Sequence, residues 1–324
     1  MKTLKFLRFG VVASSLSLAG LTHGQIVYNQ NFDVDDTANW TVNKAPATTD
    51  VAADFFFDYS SVGIPSAPNS GGTTRGARLQ ANQSSGVFGG LSVSPTGQSF
   101  SGNYELRFDM WLSFNGPAPV GGSGSTQLGG AGIGTSGTSA QWPGGAQDSI
   151  WFAATADGNS SSDWRAYSPT APTSYTAPSG VYAAGTGTSP DARNQSHPYY
   201  AGFGNVTAPA AQVALYPQQS GNTLTGSAGW AWHDVSILKI GNTITWSVDG
   251  LLLATLNASD DTANTGDNIL LMYSDTNTTS STDPNDVNLL FGLFDNLRVT
   301  MVPEPSALAL VGLGGLAMML RRRK

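Results

Sequence analysis

Acid and base side chains suited to catalysis are scarce in this chain. Between residues 25 and 302 there is one glutamate, Glu105, and there are two histidines, His197 and His233, while cysteine is absent. A retaining glycosidase needs two carboxylates about 5 Å apart, and no E-x-D-x-x-E pattern supplies them. A nucleophilic triad or a tetrahedral zinc site needs more histidine or cysteine. We therefore assign no catalytic residue, predict that the chain is not an enzyme, and expect Glu105 to be a solvated strand residue.

Aromatic residues in segments rich in Gly, Ser, Thr and Pro could bind a carbohydrate. An exposed flat ring can stack on a sugar face, and a ring on a loop is free to do so. The rings that qualify by position are Trp142, Trp164, Tyr167, Tyr199 and Tyr200. Each could instead pack its own loop against the domain, so the set is a hypothesis for ligand binding.

One segment, Asp157 to Asp163, has the sequence DGNSSSD, with oxygen ligands at alternating positions as in part of a calcium loop. It lacks the glycine at position six and the distal glutamate of an EF-hand. We interpret it as an ordinary turn.

Strands with a period of two must position these side chains. From Tyr104 to Phe114 the even residues are apolar and the odd residues mostly polar, which is typical of a strand packed on one face. Between Trp230 and Leu256, the pairs Gly241-Asn242 and Asp249-Gly250 separate three alternating segments and predict an antiparallel meander. In this pattern Phe108 and Trp246 belong to the core.

Other strands are predicted at Ile26 to Phe32, at Asp148 to Thr155 and at Asn288 to Met301. The spans 115–145 and 156–229 are predicted loops, because Gly, Ser, Thr, Pro and Ala dominate them. Helical periodicity is absent between the two ends. The sequence therefore predicts one all-β domain, an antiparallel β-sandwich, over residues 25–301.

Asp295 is a candidate calcium ligand in the last predicted strand. It shares parity with the apolar residues of that strand, so strict alternation would aim its carboxylate at the core. An unpaired buried carboxylate is costly, and it requires a bulge at Gly292, a basic partner such as Arg298, or a cation. Because first and last strands commonly lie side by side in jelly rolls, Asp33 is the second candidate ligand.

The N-terminus predicts a signal peptide over residues 1–24. Lys2, Lys5 and Arg8 precede an apolar run, and small residues then lead to Gly24. We expect cleavage between Gly24 and Gln25.

The C-terminus, residues 302–324, predicts a single transmembrane helix. Residues 306–320 carry no charge and would extend about 22 Å as a helix, short of the ~30 Å hydrocarbon core. Local thinning of the bilayer can absorb the difference. The basic cluster that follows can reach the headgroups and should remain cytoplasmic, and it consists of Arg321, Arg322, Arg323 and Lys324.

Pro303-Glu304-Pro305, the apolar helix and the basic cluster occur in the order of a PEP-CTERM sorting signal, which this tail resembles. The resemblance implies export, processing by an exosortase, transient anchoring in the inner membrane, and delivery to the cell surface or an extracellular matrix. The prolines are consistent with an extended segment that fits a processing enzyme's cleft.

The body also resembles the concanavalin A-like jelly rolls of laminin-G or legume-lectin type. The resemblance rests on FDVDDTANW after the first strand, on a WHDVSI and ITWSVDG hairpin, and on FDNLRV in the closing strand. It implies two antiparallel sheets, in proteins that bind glycans, bind protein partners or hydrolyse polysaccharides. Fold alone does not choose among these roles.

Charge narrows the choice of partner. The net charge is −7, and residues 25–302 contain eight Lys or Arg against twenty-one Asp or Glu. Such a body is unsuited to nucleic acid or anionic membrane. We therefore expect an exported surface or matrix protein that binds an extracellular polysaccharide without catalysis. The alternatives are a purely structural matrix component and a polysaccharide-degrading enzyme.

Overall fold

Strand-forming sequence occupies most of the molecule. The computed structural model describes residues 24–46, 49–83, 87–119, 121, 126–158, 160, 162–169, 179–183, 197–258, 266–276 and 283–303. Within these ranges the strands are, in chain order, β1 Ile26–Gln30, β2 Trp40–Ala45, β3 Ala52–Asp58, β4 Arg75–Gln80, β5 Gly90–Pro95, β6 Tyr104–Ser113, β7 Gln127–Thr135, β8 Ile150–Thr155, β9 Trp164–Tyr167, β10 Tyr182–Ala183, β11 Trp232–Ile240, β12 Thr243–Val248, β13 Leu251–Asn257, β14 Asn268–Asp275 and β15 Phe291–Met301.

Helices are few and short in the described residues. The α-helices are α1 Ala210–Leu215 and α2 Asp286–Leu289. Single 3₁₀ turns occur at Thr37–Asn39, Tyr59–Val62 and Pro198–Tyr200. The predicted signal helix and transmembrane helix lie outside the described residues.

The strands form two sheets. The eight-stranded sheet has the order β13-β12-β11-β6-β15-β4-β3, and β1 also pairs with β15. The seven-stranded sheet has the order β10-β9-β8-β7-β14-β5-β2. All pairs are antiparallel except β9 with β10. The predicted antiparallel sandwich is therefore confirmed.

Apolar side chains from both sheets meet in one core. Phe108 on β6 is buried and lies against Phe294 on β15, with ring centroids 5.8 Å apart. Across the sandwich, Trp246 of the eight-stranded sheet stacks on Phe152 of the other sheet at 5.1 Å. Both core residues predicted from parity, Phe108 and Trp246, are confirmed.

The predicted meander forms as β11, β12 and β13, with antiparallel pairing between neighbours. Its second turn places Asp249 at φ 51° and Gly250 at φ 78°. Two successive left-handed residues twist the hairpin in the direction that its strands need, and Asp-Gly adopts this conformation readily.

The first and last strands pair, as expected from the resemblance to jelly rolls. Ile26 of β1 pairs with Thr300 of β15, and the Met301 N–H donates to the Gln25 carbonyl oxygen at 2.8 Å. The start of the sandwich therefore lies beside the end of its last strand. The Val302 N–H donates to the Asn103 carbonyl oxygen at 2.9 Å, so backbone pairing continues to the residue before Pro303.

Two predicted loops contain strands. The span 115–145 includes β7, whose sequence QLGGAGIGT is rich in glycine. Those glycines serve close packing: a Cβ on Gly129 would lie 2.3 Å from Leu112 Cδ2. The span 156–229 includes β9, β10 and α1. Glycine in a strand often marks a close approach of neighbouring chain, and composition alone does not distinguish this from a turn.

Candidate functional site

Three aspartates form a row across the outer face of the eight-stranded sheet. Asp234 on β11 pairs with Asp109 on β6, which pairs with Asp295 on β15. Directly paired residues project to the same side of a sheet. Phe108, the neighbour of Asp109, faces the core, so the three carboxylates lie on the opposite face. We call this set the aspartate row.

The aspartate row is stabilised mainly by neutral donors. Asp109 is buried and accepts hydrogen bonds from Asn69 Nδ2 at 2.7 Å, from the Asn69 N–H at 3.1 Å and from Asn296 Nδ2 at 2.8 Å. Arg107 pairs through two nitrogens with Asp234. Asp295 is fully buried and accepts from the Tyr59 hydroxyl at 3.0 Å and the Asn296 N–H at 2.7 Å.

The orientation predicted for Asp295 is wrong, although its burial is confirmed. The register of β15 shifts between Asp295 and Arg298, and Asn296 has φ 52°. A bulge is therefore present at Asn296 instead of Gly292, and it reverses which residues face the core. Asp295 lies on the outer face, whereas Val299 beyond the bulge is buried in the core.

Asp33 lies close enough to Asp295 for their charges to interact. Burial, with smaller contributions from the negative charges of Asp109 and Asp33, raises the pKa of Asp295 to about 7, although the hydrogen bonds from Asn296 and Tyr59 oppose the shift. Asp33 Oδ2 accepts from Asn31 Nδ2 at 2.7 Å, while Asp33 Oδ1 is buried without a partner. Oxygen-only ligands suit calcium. Among the described residues, however, no three His, Cys, Asp or Glu side chains are grouped to hold a metal, so the predicted calcium site stays a prediction.

Four of the five rings proposed for ligand binding are buried. They are Trp142, Trp164, Tyr167 and Tyr200. Trp164 and Tyr167 belong to β9 and not to a loop. Trp164 stacks on Tyr200 at 5.3 Å within the main core. For these four rings the structure favours the alternative of packing against the domain, and on β9 the strand directs Trp164 and Tyr167 into two different apolar clusters.

The remaining ring, Tyr199, is partly exposed and its hydroxyl donates to the Leu252 carbonyl oxygen. Trp142 packs edge-on against Phe88, with centroids 4.9 Å apart. Its segment lies over β5, where the Gln141 N–H donates to Ser92 Oγ at 2.9 Å. Trp142 therefore fixes the segment 136–149 on the sheet.

The seven-stranded sheet has an aromatic outer face. Phe152 of β8 faces the core, whereas its neighbours Trp151 and Ala153 belong to a second apolar cluster on the opposite side. Trp151 stacks on Tyr167 with centroids 3.7 Å apart and an interplanar angle of 5°. We call this set the outer-face cluster, and its buried members are Leu128, Trp151, Ala153, Tyr167, Leu270 and Met272.

Two side chains at the β9–β10 side of the outer-face cluster remain partly exposed. Tyr182 packs against the cluster, and the Arg165 guanidinium carbon lies 5.9 Å from the Tyr182 ring centroid. Arg165 pairs with Tyr182 across the parallel strands.

Sequence reasoning did not include Trp151 among the candidate ligand-binding rings, because DSIWFAAT indicates only a strand. The alternation of Trp151 with the core residues Ile150 and Phe152 is the signal that assigns it to the other face.

Two of the three acid or base residues considered for catalysis, Glu105 and His233, have structural partners. Glu105 Oε1 accepts from Ser236 Oγ at 2.7 Å on a partly exposed strand face. His233 is buried, with Nδ1 at 2.7 Å from Asp249 Oδ2 and Nε2 at 3.2 Å from the Ala228 carbonyl oxygen.

The sorting tail lies largely beyond the described residues. Pro303 is described, whereas Glu304, Pro305 and the basic residues Arg321, Arg322, Arg323 and Lys324 are not. In the part of the chain that the structure describes, every helix is too short or too polar to cross a bilayer. Gly24 and Gln25, the predicted cleavage pair, lie beside the end of β15.

Comparison with known proteins identifies the tail. Residues 302–324 match the family model described as the PEP-CTERM protein-sorting motif, so the chain carries the signal of an exported protein that an exosortase sorts through the membrane to the cell surface. No curated protein matches the sequence.

Solved structures similar to this chain have sandwich folds and low sequence identity. A Bacillus subtilis protein of unknown function with a galectin-like fold shares 7% identity with a TM-score of 0.41, over 86% of this chain and 97% of that one. A Bacillus licheniformis β-glucanase shares 12% identity with a TM-score of 0.40, over 86% and 99%. A carbohydrate-binding module from Bacillus subtilis shares 9% identity with a TM-score of 0.32, over 69% and 86%.

These comparisons correct one prediction. The chain was predicted not to be an enzyme, yet the structures similar to it include a glucanase as well as a carbohydrate-binding module. The prediction that the chain is not an enzyme is withdrawn. Similarity at this level concerns the fold alone.

Proposed function

We propose that this exported protein binds an extracellular polysaccharide at the cell surface or in the surrounding matrix, through the β9–β10 side of the seven-stranded sheet. One observation carries the proposal: the outer-face cluster, in which Trp151 and Tyr167 stack outside the main core. The outer face of a sandwich normally meets water and is polar. Here the outer face is aromatic and its large rings are buried, so the surface open to a ligand is its edge, where Arg165 and Tyr182 are partly exposed.

The partly exposed pair Arg165 and Tyr182 provides the contact chemistry. A tyrosine ring offers an apolar face to the C–H side of a sugar ring. The Arg165 guanidinium carries N–H donors suited to hydroxyl, carboxylate or sulfate oxygens. Arg165 Nε donates to the Ser162 carbonyl oxygen at 2.5 Å, and one terminal nitrogen lies 3.5 Å from the Tyr167 hydroxyl, so the side chain is held across the strand at the edge of the outer-face cluster.

Affinity electrophoresis of the full-length chain in mild detergent tests the proposal, with gels that contain extracellular polysaccharide from the producing cells. We expect the polysaccharide to retard the protein. Tyr182→Ala and Arg165→Ala should each weaken binding about tenfold, equivalent to about 1.4 kcal/mol. Tyr28→Ala is the matched control, because Tyr28 is a partly exposed tyrosine on β1 of the other sheet.

Two outcomes contradict the proposal. Equal retardation of all variants would exclude the β9–β10 side, and Tyr199→Ala then tests the one loop ring that remains partly exposed. A glycan array without any signal would favour a purely structural matrix component. Chromatographic sizing of the polymer after incubation distinguishes binding from cleavage, because only cleavage shortens the polymer.

A further inference from the structure

The turn between β8 and β9 contains two buried carboxylates. Asp157 is 3% exposed and Asp163 is 1% exposed. The sequence interpretation of this segment as an ordinary turn predicts solvated side chains, because aspartate is almost never fully buried unless it is paired. Burial at both ends of the turn therefore requires an explanation.

Their hydrogen bonds satisfy Asp163 but not Asp157. Asp163 Oδ1 accepts from Thr155 Oγ1 at 2.7 Å, and Asp163 Oδ2 accepts from the Ser160 N–H at 3.0 Å. Asp157 Oδ2 accepts from Thr126 Oγ1 at 2.7 Å, whereas Asp157 Oδ1 is buried and has no partner. A buried carboxylate oxygen without a donor is costly.

Positive charge from the protein compensates these two groups only weakly. Among the described residues neither aspartate forms an ion pair. Arg165 is the cation whose field reaches both, but it is the smallest of the influences on either pKa. The Arg165 side chain is engaged with Ser162 and Tyr182.

We propose that Asp157 and Asp163 bind a hard divalent cation of the calcium type, with Asp157 Oδ1 as a direct ligand. Calcium takes six to eight oxygen ligands at 2.3–2.6 Å and accepts mixtures of carboxylate, hydroxyl, carbonyl and water. A third acidic side chain does not join this pair within the described residues. Neutral oxygens therefore complete the coordination, and the hydroxyl oxygens in contact with the carboxylates are Thr126 Oγ1 and Thr155 Oγ1, each at 2.7 Å.

The backbone of the turn brings the two carboxylates to one corner of the sheet. Gly158 has φ 69°, and a Cβ there would lie 2.9 Å from Ser227 Cβ and 3.9 Å from Asp163 Oδ2. Glycine is required by the conformation and by the space. The Thr155 N–H also donates to the Asp163 carbonyl oxygen at 3.0 Å, which closes the turn around the site.

The pKa values of Asp157 and Asp163 are both raised, which is consistent with a site that attracts a cation. Burial, with a smaller contribution from the negative charge of Asp163, raises the pKa of Asp157 to about 7, although the hydrogen bond from Thr126 opposes the shift. Burial also raises the pKa of Asp163. A bound cation would compensate the negative charge of this buried carboxylate.

Equilibrium dialysis of the full-length chain against ⁴⁵Ca²⁺ tests this inference, in detergent at pH 8. Asp157→Asn and Asp163→Asn should each remove one bound calcium per chain, or weaken it at least about tenfold. Asp35→Asn is the matched control, because Asp35 is an exposed turn aspartate. Asp295→Asn separates this site from the one predicted at Asp33 and Asp295. This substitution should not change the calcium bound at Asp157 and Asp163.

Melting temperatures give a second measurement. Calcium should raise the melting temperature of the unsubstituted chain, and this increase should be smaller in Asp157→Asn than in Asp35→Asn. Asn has the shape of Asp without its charge, so the calcium-free melting temperature of Asp157→Asn should not fall. The proposal is overturned if Asp157→Asn and Asp163→Asn both bind as much calcium as the unsubstituted chain. It is also overturned if the unsubstituted chain binds no calcium.

Discussion

Replacing Trp164 tests whether this ring belongs to the core or to a ligand site. Trp164 is 1% exposed, and its ring contacts Tyr200, Phe203 and Trp246 at centroid distances of 5.3, 5.0 and 5.8 Å. Its Nε1–H donates to the Gly226 carbonyl oxygen at 3.1 Å. Truncation of a buried tryptophan to alanine typically costs about 3–5 kcal/mol. The three ring contacts place Trp164→Ala in the upper half of that range.

The effect should be large against the stability of a domain, which is about 5–15 kcal/mol. Urea unfolding followed by far-ultraviolet circular dichroism measures it without dependence on tryptophan fluorescence. Trp164→Phe keeps most of the apolar contact but leaves the Gly226 carbonyl without its donor, so we expect a loss of about 1–3 kcal/mol. Tyr199→Ala is the control for a partly exposed ring and should cost about 1 kcal/mol.

A loss below about 1 kcal/mol in Trp164→Ala would refute the assignment of Trp164 to the core. The same variant should keep any polysaccharide binding when it is measured below its unfolding temperature. Loss of binding with unchanged stability would return Trp164 to the set of ligand-binding rings.

Four further outcomes are expected. If Asp33 and Asp295 bind calcium, a chelator should lower the melting temperature of the unsubstituted chain. The same decrease in Asp295→Asn as in the unsubstituted chain would exclude that site. Burial raises the pKa of Asp249, but hydrogen bonds from His233 and the Asp234 N–H together with the His233 charge lower it overall. The resulting stability is present above the unfolded pKa of about 3.9 and is lost as the pH falls through the lower folded value. Asp249→Asn should therefore flatten the acid side of the stability curve, by less than about 1 kcal/mol because water screens this half-exposed side chain. Replacing Pro303, Glu304 and Pro305 by alanine should make the full-length precursor accumulate in the inner-membrane fraction on immunoblots, and normal processing would exclude these residues as the recognition motif. Terminal sequencing of the exported protein should begin at Gln25, whereas a retained Met1 would contradict the predicted signal peptide.

Periodicity was sufficient to predict most of the eight-stranded sheet. The alternation in β6 and the two turn pairs of the β11–β13 meander depend on local sequence, since each side chain's face follows from its parity. The same reasoning placed Phe108 and Trp246 in the core. These elements need no knowledge of distant contacts.

Composition gave a wrong prediction for β7, because the packing of its glycines and not their number decides that this segment is a strand. Gly129 of β7 allows Leu112 of the facing sheet to approach its backbone, and that requirement is visible only when the facing sheet is known. Asp295 shows the second limit. One extra residue in a bulge changes the face of everything beyond it, and the sequence near Asn296 does not reveal where that residue is accommodated.

The aspartate row shows a third limit. Asp109 occupies a position on β6 that alternation assigns to the solvent side, yet it is buried because the segment around Asn69 lies over it. Tertiary cover of this kind has no local signal. The outer-face cluster also has no local signal. Apolar residues on both faces of β8 and β14 predict that both faces are buried, but the sequence does not indicate what covers the second face.

The pairing of β1 with β15 also gives the sandwich a direction. Tyr104, the first residue of β6, pairs with Met301 beside the two chain ends, whereas Phe114, just after β6, adjoins Gly229 and Ala156 at the opposite pole. Ten strand residues extend about 33 Å. Asp157 and Asp163 therefore lie about 30 Å along the strands from Gln25 and Val302, the pole from which both predicted membrane segments continue.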